Sequence, residues 1–161
     1  LLVELANHAA HIVAATVLIQ REVAQRLVAP PGSRTYGLLS VLVGRSFAVR
    51  ILRHVSPGAF FPAPKVTSSV VQLERHTTRR SRERDDLLVA TARAAFASRR
   101  KTLRNALAGA LGTPAPAIEA ALRAHDFDPG LRAEVLGIDE LERLGVALHT
   151  AGIVTGDGVP V

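Results

Sequence analysis

The spacing of hydrophobic positions changes near residue 76, and this change divides the chain into two patterns. Before it, short apolar runs typical of strands alternate with segments of helical spacing. The run Ala14–Ile19 is continuous and apolar, as expected of a buried parallel strand. Val49–Val55 and Val66–Leu73 are β-rich, whereas Leu38–Phe47 fits either a strand or a helix packed on a sheet. With helical spacing in Leu1–Ala10 and Glu22–Val28, this part is predicted to be α/β.

The second pattern is helical throughout. Helices are predicted within Asp85–Leu111, over Pro116–His125 and over Ile138–Thr150. The stretch 77–86 between the two patterns is polar and aperiodic, which is typical of a linker. The end of the chain, 151–161, is expected to be a flexible tail.

One residue disturbs the first of these helices. On a single straight helix, Arg99 falls in the middle of an apolar stripe that includes Phe96 and Leu103. A buried unpaired guanidinium is costly, so a break is predicted near Ala97–Arg100, with Ser98 as the N-cap of the second piece.

Charge and composition narrow the function. The net charge is +6, and ten of the 20 Lys and Arg residues lie between positions 75 and 104. Cys is absent, which excludes disulfide scaffolds, zinc–cysteine sites and thiol nucleophiles, and no metal site is expected. No apolar segment reaches the ~20 residues of a membrane span, so a soluble, cytoplasmic protein with no membrane partner is expected.

A proline-rich loop is the first candidate site. Phe60 and Phe61 lie between predicted strands in a stretch with Pro57, Pro62 and Pro64, which predicts an extended, rigid loop. Two adjacent aromatic rings could stack on a flat ligand such as an extruded base. The alternative, favoured by composition alone, is that both rings fill a core beneath the turn.

A basic segment is the second candidate site. Four cations, which are Arg99, Arg100, Lys101 and Arg104, occur within six residues, with Thr102 and Asn105 as neutral donors. This pattern suits a phosphate backbone. The alternative is a solvated helix face with intrahelical ion pairs, but no acid lies between Asp86 and Glu119 to form them. Contact with RNA or DNA is therefore predicted.

Taken together, several motifs resemble the ribosomal RNA adenine dimethylase family, and within it the bacterial branch that acts on 16S rRNA. The matching stretches follow the family's order and spacing. They are Gln20–Leu27, the Y-G-x-L-S-V of 36–41, the P-G-A-F-F-P-A-P-K-V of 57–66 with Ser69–Val71, the A-F-A-S-R-R-K-T-L-R-N of 95–105, and the L-R-A-E of 131–134.

The resemblance implies an S-adenosylmethionine-dependent class I methyltransferase. Such an enzyme dimethylates N6 of two adjacent adenosines near the 3′ end of 16S rRNA in the small-subunit precursor, and is expected to be monomeric. It holds the extruded adenine between two aromatic rings, one of which corresponds to Phe60. The resemblance also implies RNA contacts by Lys65, and by Arg99, Arg100, Lys101, Thr102, Arg104 and Asn105 of the basic segment.

The family's glycine-rich cofactor loop and its N-L-P-Y motif would lie upstream of Leu1. The resemblance thus implies that residues 1–76 are the C-terminal part of a Rossmann-like domain, 77–86 a basic linker, and 87–150 a helical RNA-binding domain. We expect this chain alone to be inactive, with no cofactor-binding residues of its own. Two alternatives stay open: a non-catalytic RNA-binding or ribosome-assembly module, and a 23S rRNA adenine dimethylase relative.

Overall fold

A computed structural model divides the chain into two compact units. The first unit comprises Leu1–Pro30 and Arg34–Arg79, and the second comprises Pro31–Ser33 and Arg80–Val161. Pro31–Ser33 is attached to the rest of the second unit by a hydrogen bond from the Gly32 N–H to the carbonyl of Glu134 (2.7 Å). The residues described by the structure are 1–78, 80–157 and 159–160.

The first unit is α/β, as the hydrophobic pattern predicted. Its helices and strands are α1 (Leu2–Asn7), β1 (Ala14–Gln20), α2 (Arg21–Leu27), α3 (Leu38–Gly44), β2 (Phe47–Val55) and β3 (Ser68–Arg75). The ambiguous stretch Leu38–Phe47 is therefore a helix that leads into a strand. Its core packs the helices against one face of the sheet, around Phe47, Val71 and Leu73.

The three strands form one antiparallel sheet in the order β1–β3–β2. The prediction of a buried parallel strand over Ala14–Ile19 was wrong in both respects. Among the strands of the described residues, β1 pairs only with β3, antiparallel, and its residues alternate between half-buried and exposed. The apolar run was misleading because apolar residues occur on both faces of the strand. Only the face with Val17 and Ile19 packs on the core, whereas Leu18 on the opposite face is 51% exposed.

The Y-G-x-L-S-V stretch forms the start of α3. The Ser40 hydroxyl accepts a hydrogen bond from the Gly37 N–H (3.2 Å) and donates one to the carbonyl of Arg26 at the end of α2 (2.6 Å). Tyr36 is buried beside this cap. This motif therefore joins two helices of the first unit and has a structural role.

The second unit is helical. Its helices are α4 (Arg82–Phe96), α5 (Leu103–Leu111), α6 (Ala115–Ala124) and α7 (Ile138–Thr150). α4 begins inside the predicted linker 77–86, because the Ser81 hydroxyl accepts the Arg84 N–H and two acids occupy the first turn. Arg79 of that linker lies outside the described residues.

The predicted break in the first long helix is confirmed. α4 ends at Phe96 and α5 begins at Leu103, and Arg99 lies exposed in the intervening segment. The predicted cap is wrong: Thr102, and not Ser98, is the N-cap of α5. The break is longer than expected because a turn, closed by the Lys101 N–H and the Ser98 carbonyl (3.1 Å), fills it.

Part of the predicted flexible tail 151–161 packs against the end of α7. Ile153 and Val154 are buried, and Val154 forms a β-bridge with Pro160. The Ile153 N–H donates to the carbonyl of Leu148 (2.9 Å), which continues the packing of α7. Gly158 and Val161 lie outside the described residues.

Two kinds of site are missing from the described residues. Across residues 1–78, 80–157 and 159–160, no helix is long and apolar enough to cross a membrane. The same residues contain no group of three His, Asp or Glu side chains that could hold a metal ion.

Gly145 allows α7 to approach α4 closely, and we predict that Gly145→Ala destabilises the chain. A Cβ at this position would lie 3.0 Å from both the Leu87 carbonyl oxygen and Thr91 Oγ1. The expected loss in the free energy of unfolding is about 1–3 kcal/mol, measured by urea denaturation.

Gly109→Ala in α5 is the matched control, because a Cβ there meets nothing within 4 Å. It should stabilise the chain by up to about 1 kcal/mol through helix propensity. Equal stability changes for the two variants would contradict the close packing of α4 and α7.

Candidate nucleic-acid interface

The basic segment occupies the break between α4 and α5 and the first turn of α5. Arg99, Arg100 and Lys101 are exposed in the break, and Thr102 is half-buried at the cap. In α5, Arg104 is half-buried and Asn105 is exposed. The structure thus brings together all six residues predicted for this part of the site on one short stretch of the second unit's surface.

A loop from later in the chain fixes the start of α5. The Leu103 N–H donates to the carbonyl of Leu131 (2.6 Å), and the Arg104 N–H donates to the carbonyl of Pro129 (3.2 Å). Amides in the first turn of a helix have no partner within it and are often available to anions. Because these two are already bonded, a phosphate here would be bound mainly by side chains.

Arg104 has a partner inside the protein. Its Nη1 donates to Glu119 Oε2 of α6 (2.8 Å), and Arg123, one turn further along α6, donates to Oε1 of the same carboxylate (2.9 Å). These hydrogen bonds, that from Arg104 foremost, hold the pKa of Glu119 below its ordinary value of 4.5. The sequence argument that no acid was near enough therefore fails for Arg104, since the acid comes from a neighbouring helix.

Arg100 and Lys101 differ from Arg104 in this respect. Both side chains are exposed, and within the described parts of the chain neither forms an ion pair. A cation with no carboxylate partner can meet a phosphate without first breaking a bond inside the protein. The two residues are thus exposed positive charges with no carboxylate partner among the described residues.

The aromatic loop belongs to the first unit and joins β2 to β3. Phe61 is fully exposed and Phe60 is half-buried, so neither ring lies in the buried core. The alternative that both rings fill a core beneath the turn is therefore wrong. The loop is also less extended than predicted, because its first part, Pro57–Ala59, is a 3₁₀ turn. Proline at the first position of that turn has a fixed φ that suits it.

Lys65 follows the rings in the same loop and is exposed. The loop re-enters the sheet at Ser68, and Ser69 is fully buried with its hydroxyl 2.9 Å from His54 Nδ1 on β2. The rings and the lysine are thus carried on a loop anchored at both ends by the sheet. They belong to the first unit, whereas the basic segment belongs to the second.

Two features of this interface were not predicted from the sequence. The first is the bonding of residues 129–131 to α5, for which the only signal was that the 95–105 and 131–134 stretches resemble the family together. The second is the cluster of Arg104, Glu119 and Arg123. The pair of Glu119 and Arg123, four residues apart on one helix, is recognisable in the sequence. The pair of Arg104 and Glu119 is not, because the two residues are 15 positions apart and lie on different helices.

Comparison with known proteins gives one family. The family described as ribosomal RNA adenine dimethylase matches residues 1–119. Proteins named ribosomal RNA small subunit methyltransferase A are similar to the chain over most of its length. The one from Kineococcus radiotolerans is 44% identical over 144 residues, which is 89% of this chain and 47% of that protein. The one from Deinococcus radiodurans is 46% identical over 137 residues, with 85% and 46% covered. The chain thus spans about half the length of these curated relatives.

Solved structures share the fold. A dimethyladenosine transferase from Plasmodium falciparum aligns with a TM-score of 0.76 at 22% identity, covering 92% of this chain and 62% of that one. The 23S rRNA methyltransferase ErmE aligns with a TM-score of 0.60 at 22% identity, covering 91% and 59%. The predicted fold class, part of a Rossmann-like methyltransferase sheet followed by a small helical domain, is confirmed.

The ionised carboxylate of Glu119 is expected to stabilise the second unit in a pH-dependent way. Because folding lowers its pKa from 4.5, its contribution is present above that pH and is lost as the pH falls through the folded-state value. Glu119→Gln should therefore lower the free energy of unfolding at pH 7, and the difference from the unaltered chain should shrink below pH 4.5, as measured by urea denaturation across the pH range.

Glu134→Gln is the control for removing one negative charge from the same unit, since its side chain lies outside this cluster. It should have a smaller effect at pH 7. A Glu119→Gln variant as stable as the unaltered chain at pH 7 would show that the cluster contributes nothing.

Proposed function

This chain belongs to the ribosomal RNA adenine dimethylase family, and on that premise we propose that it is the RNA-gripping and adenine-positioning part of an enzyme that dimethylates N6 of two adjacent adenosines near the 3′ end of 16S rRNA. The complete protein would act on the small-subunit precursor in the cytoplasm as a monomer. The observation that carries the proposal is the exposed pair Arg100 and Lys101, preorganised beside α5.

Each proposed contact has a distinct task. Arg100, Lys101 and Arg99 would hold the phosphate backbone, with Thr102 and Asn105 as neutral donors. Arg104 would contact RNA only by sharing its guanidinium with Glu119, so its main task is to position the start of α5. Lys65 would meet a phosphate near the aromatic loop. None of these contacts depends on the base sequence, so they would set register and affinity.

Phe60 would stack on the extruded adenine. The lone pair of the adenine amine is delocalised into the ring, so the protein contributes mainly by fixing the plane and direction of that amine. A half-buried ring suits this task, because part of its surface is covered by the protein and part stays open to a base. Phe61, although more exposed, lacks that cover.

S-adenosylmethionine is the co-substrate that the family implies, but the residues of this chain do not fit it. Strand β1 passes directly into α2 with no intervening turn, and the first glycine of the sequence is Gly32. The Arg21 N–H at the start of α2 is already bonded to the carbonyl of Thr67 (2.9 Å). Methyl transfer thus requires a site that this chain does not supply, and the isolated chain is proposed to bind RNA without methylating it.

The identity of the relatives supports the small-subunit substrate over a 23S target. The relatives with 44% and 46% identity carry small-subunit names. ErmE, which is named for 23S rRNA, shares the fold at 22% identity.

Arg100→Gln is expected to weaken RNA binding and to reduce its salt dependence. Loss of one phosphate contact should lower the slope of log K against log salt by about 0.7 to 0.9, the values for single and double strands. The measurement is a titration of a small-subunit rRNA fragment at several salt concentrations. Arg93→Gln, an exposed charge on α4 outside the basic segment, is the control and should leave the slope unchanged. Equal slopes for the two variants would contradict the proposed interface.

Phe60→Ala in the complete enzyme is expected to reduce methyl transfer by about tenfold or more, with a smaller effect on RNA affinity, because a lost stack is worth about 1–3 kcal/mol at one base. The measurement combines single-turnover methylation with RNA titration. Phe61→Ala removes a neighbouring, fully exposed ring and serves as the control. Equal loss of rate and affinity in Phe60→Ala would assign that ring a structural task only.

A further inference from the structure

The helical unit carries a concave site apart from the basic segment. A cavity of about 270 Å³ opens between α4, α7 and the segment that follows α6. This volume is at the small end for a ligand site and is enough for a group the size of one nucleobase. Its lining combines an apolar wall with charged groups.

Phe127, Val146 and Ala147 form the apolar wall. Asp126, with a φ of 61°, reverses the chain after α6, and the Phe127 N–H then donates to the carbonyl of Leu122 (2.9 Å). This turn directs the Phe127 ring inward, where it is 8% exposed. Val146 on α7 is 37% exposed and forms the accessible side of the wall.

Guanidinium groups line the polar side. The Arg143 guanidinium carbon lies 5.5 Å from the centroid of the Phe127 ring, within the range of a cation–π contact. Glu142 is bonded by Arg80 Nε (2.5 Å) and by Arg84 Nη1 (3.3 Å). Two guanidinium groups therefore balance the charge of the Glu142 carboxylate. Arg143 is a further cation at the cavity, and its described contact is with the Phe127 ring.

His125 completes the lining and is half-buried. Its imidazole can donate or accept a hydrogen bond, and a carboxylate already bonded by two guanidinium groups retains lone pairs for a further N–H donor. The cavity thus presents apolar side chains, hydrogen-bonding groups and the Arg143 guanidinium above the Phe127 ring.

We propose that this cavity binds one unpaired nucleotide of the RNA. The base would lie against Phe127 and Val146 with an N–H of its edge donating to Glu142, and the 5′ phosphate would contact Arg143. Single-stranded RNA is recognised in this way, by stacking on aromatic and guanidinium planes and by hydrogen bonds to base edges. An acidic peptide would supply the charge but no planar group for the apolar wall. The inference rests on the proposed function, because it adds a second contact to the same RNA partner.

The test is photo-crosslinking of the 161-residue chain to a single-stranded RNA hexamer that carries one 4-thiouridine. Trypsin then releases residues 124–132 as one peptide, and this peptide should carry crosslinked nucleotide. Val146→Trp, which fills the cavity, and Arg143→Gln, which removes the cation, should each lower the yield at this peptide by about fivefold or more. A parallel digest with a Glu-specific protease releases residues 84–119, which contain the basic segment, and the crosslinks in that peptide should persist. Arg93→Gln is the matched charge control and should lower neither yield.

The outcomes separate this proposal from the proposed function. Crosslinks in the 84–119 peptide with none at 124–132, or yields at 124–132 that neither variant lowers, would overturn the cavity proposal and leave RNA binding intact. Absence of binding by the chain at any position would contradict the proposed function itself. Displacement of the crosslink by hexaglutamate as effectively as by unlabelled RNA would show a site for acidic peptides and would also overturn the proposal.

Discussion

The candidate interface depends on two backbone hydrogen bonds that attach residues 129–131 to the start of α5. By accepting the amides of Leu103 and Arg104, the carbonyls of Leu131 and Pro129 fix where the helix begins. A helix start that is fixed from outside also fixes the segment before it. The exposed cations of the break are therefore held in place before any RNA arrives, which reduces the entropy lost on binding.

The charge distribution follows from the same arrangement. The Glu119 carboxylate engages Arg104 and Arg123, and both Arg80 and Arg84 engage Glu142. Glu119 and Glu142 thus pair with arginines, whereas Arg100 and Lys101 have no ion pair within the described residues. This division explains how a unit with many acids can still present a positive surface to a polyanion.

How far the sequence could predict this arrangement depends on the range of each interaction. The break between α4 and α5 was predictable, because a single straight helix would place Arg99 in the middle of its apolar stripe. The pairing of Arg104 with Glu119 was not, because the two lie on different helices. The partner of β1 was also missed, since an apolar run records hydrophobicity and contains no information on strand direction. The position of the aromatic loop between two strands was also predictable. The exposure of its two rings was not, because it depends on where the 3₁₀ turn places each ring.

The most direct test of this account is amide hydrogen exchange of the chain, measured by NMR at the start of α5. The account predicts that the Leu103 and Arg104 amides exchange slowly, because both are bonded to the 129–131 loop, and that added RNA shifts the resonances of Arg100 and Lys101 while this protection is kept. Rapid exchange at Leu103 and Arg104, at the rate of an unbonded first helical turn, would contradict the claim that the interface is held in place before RNA binds.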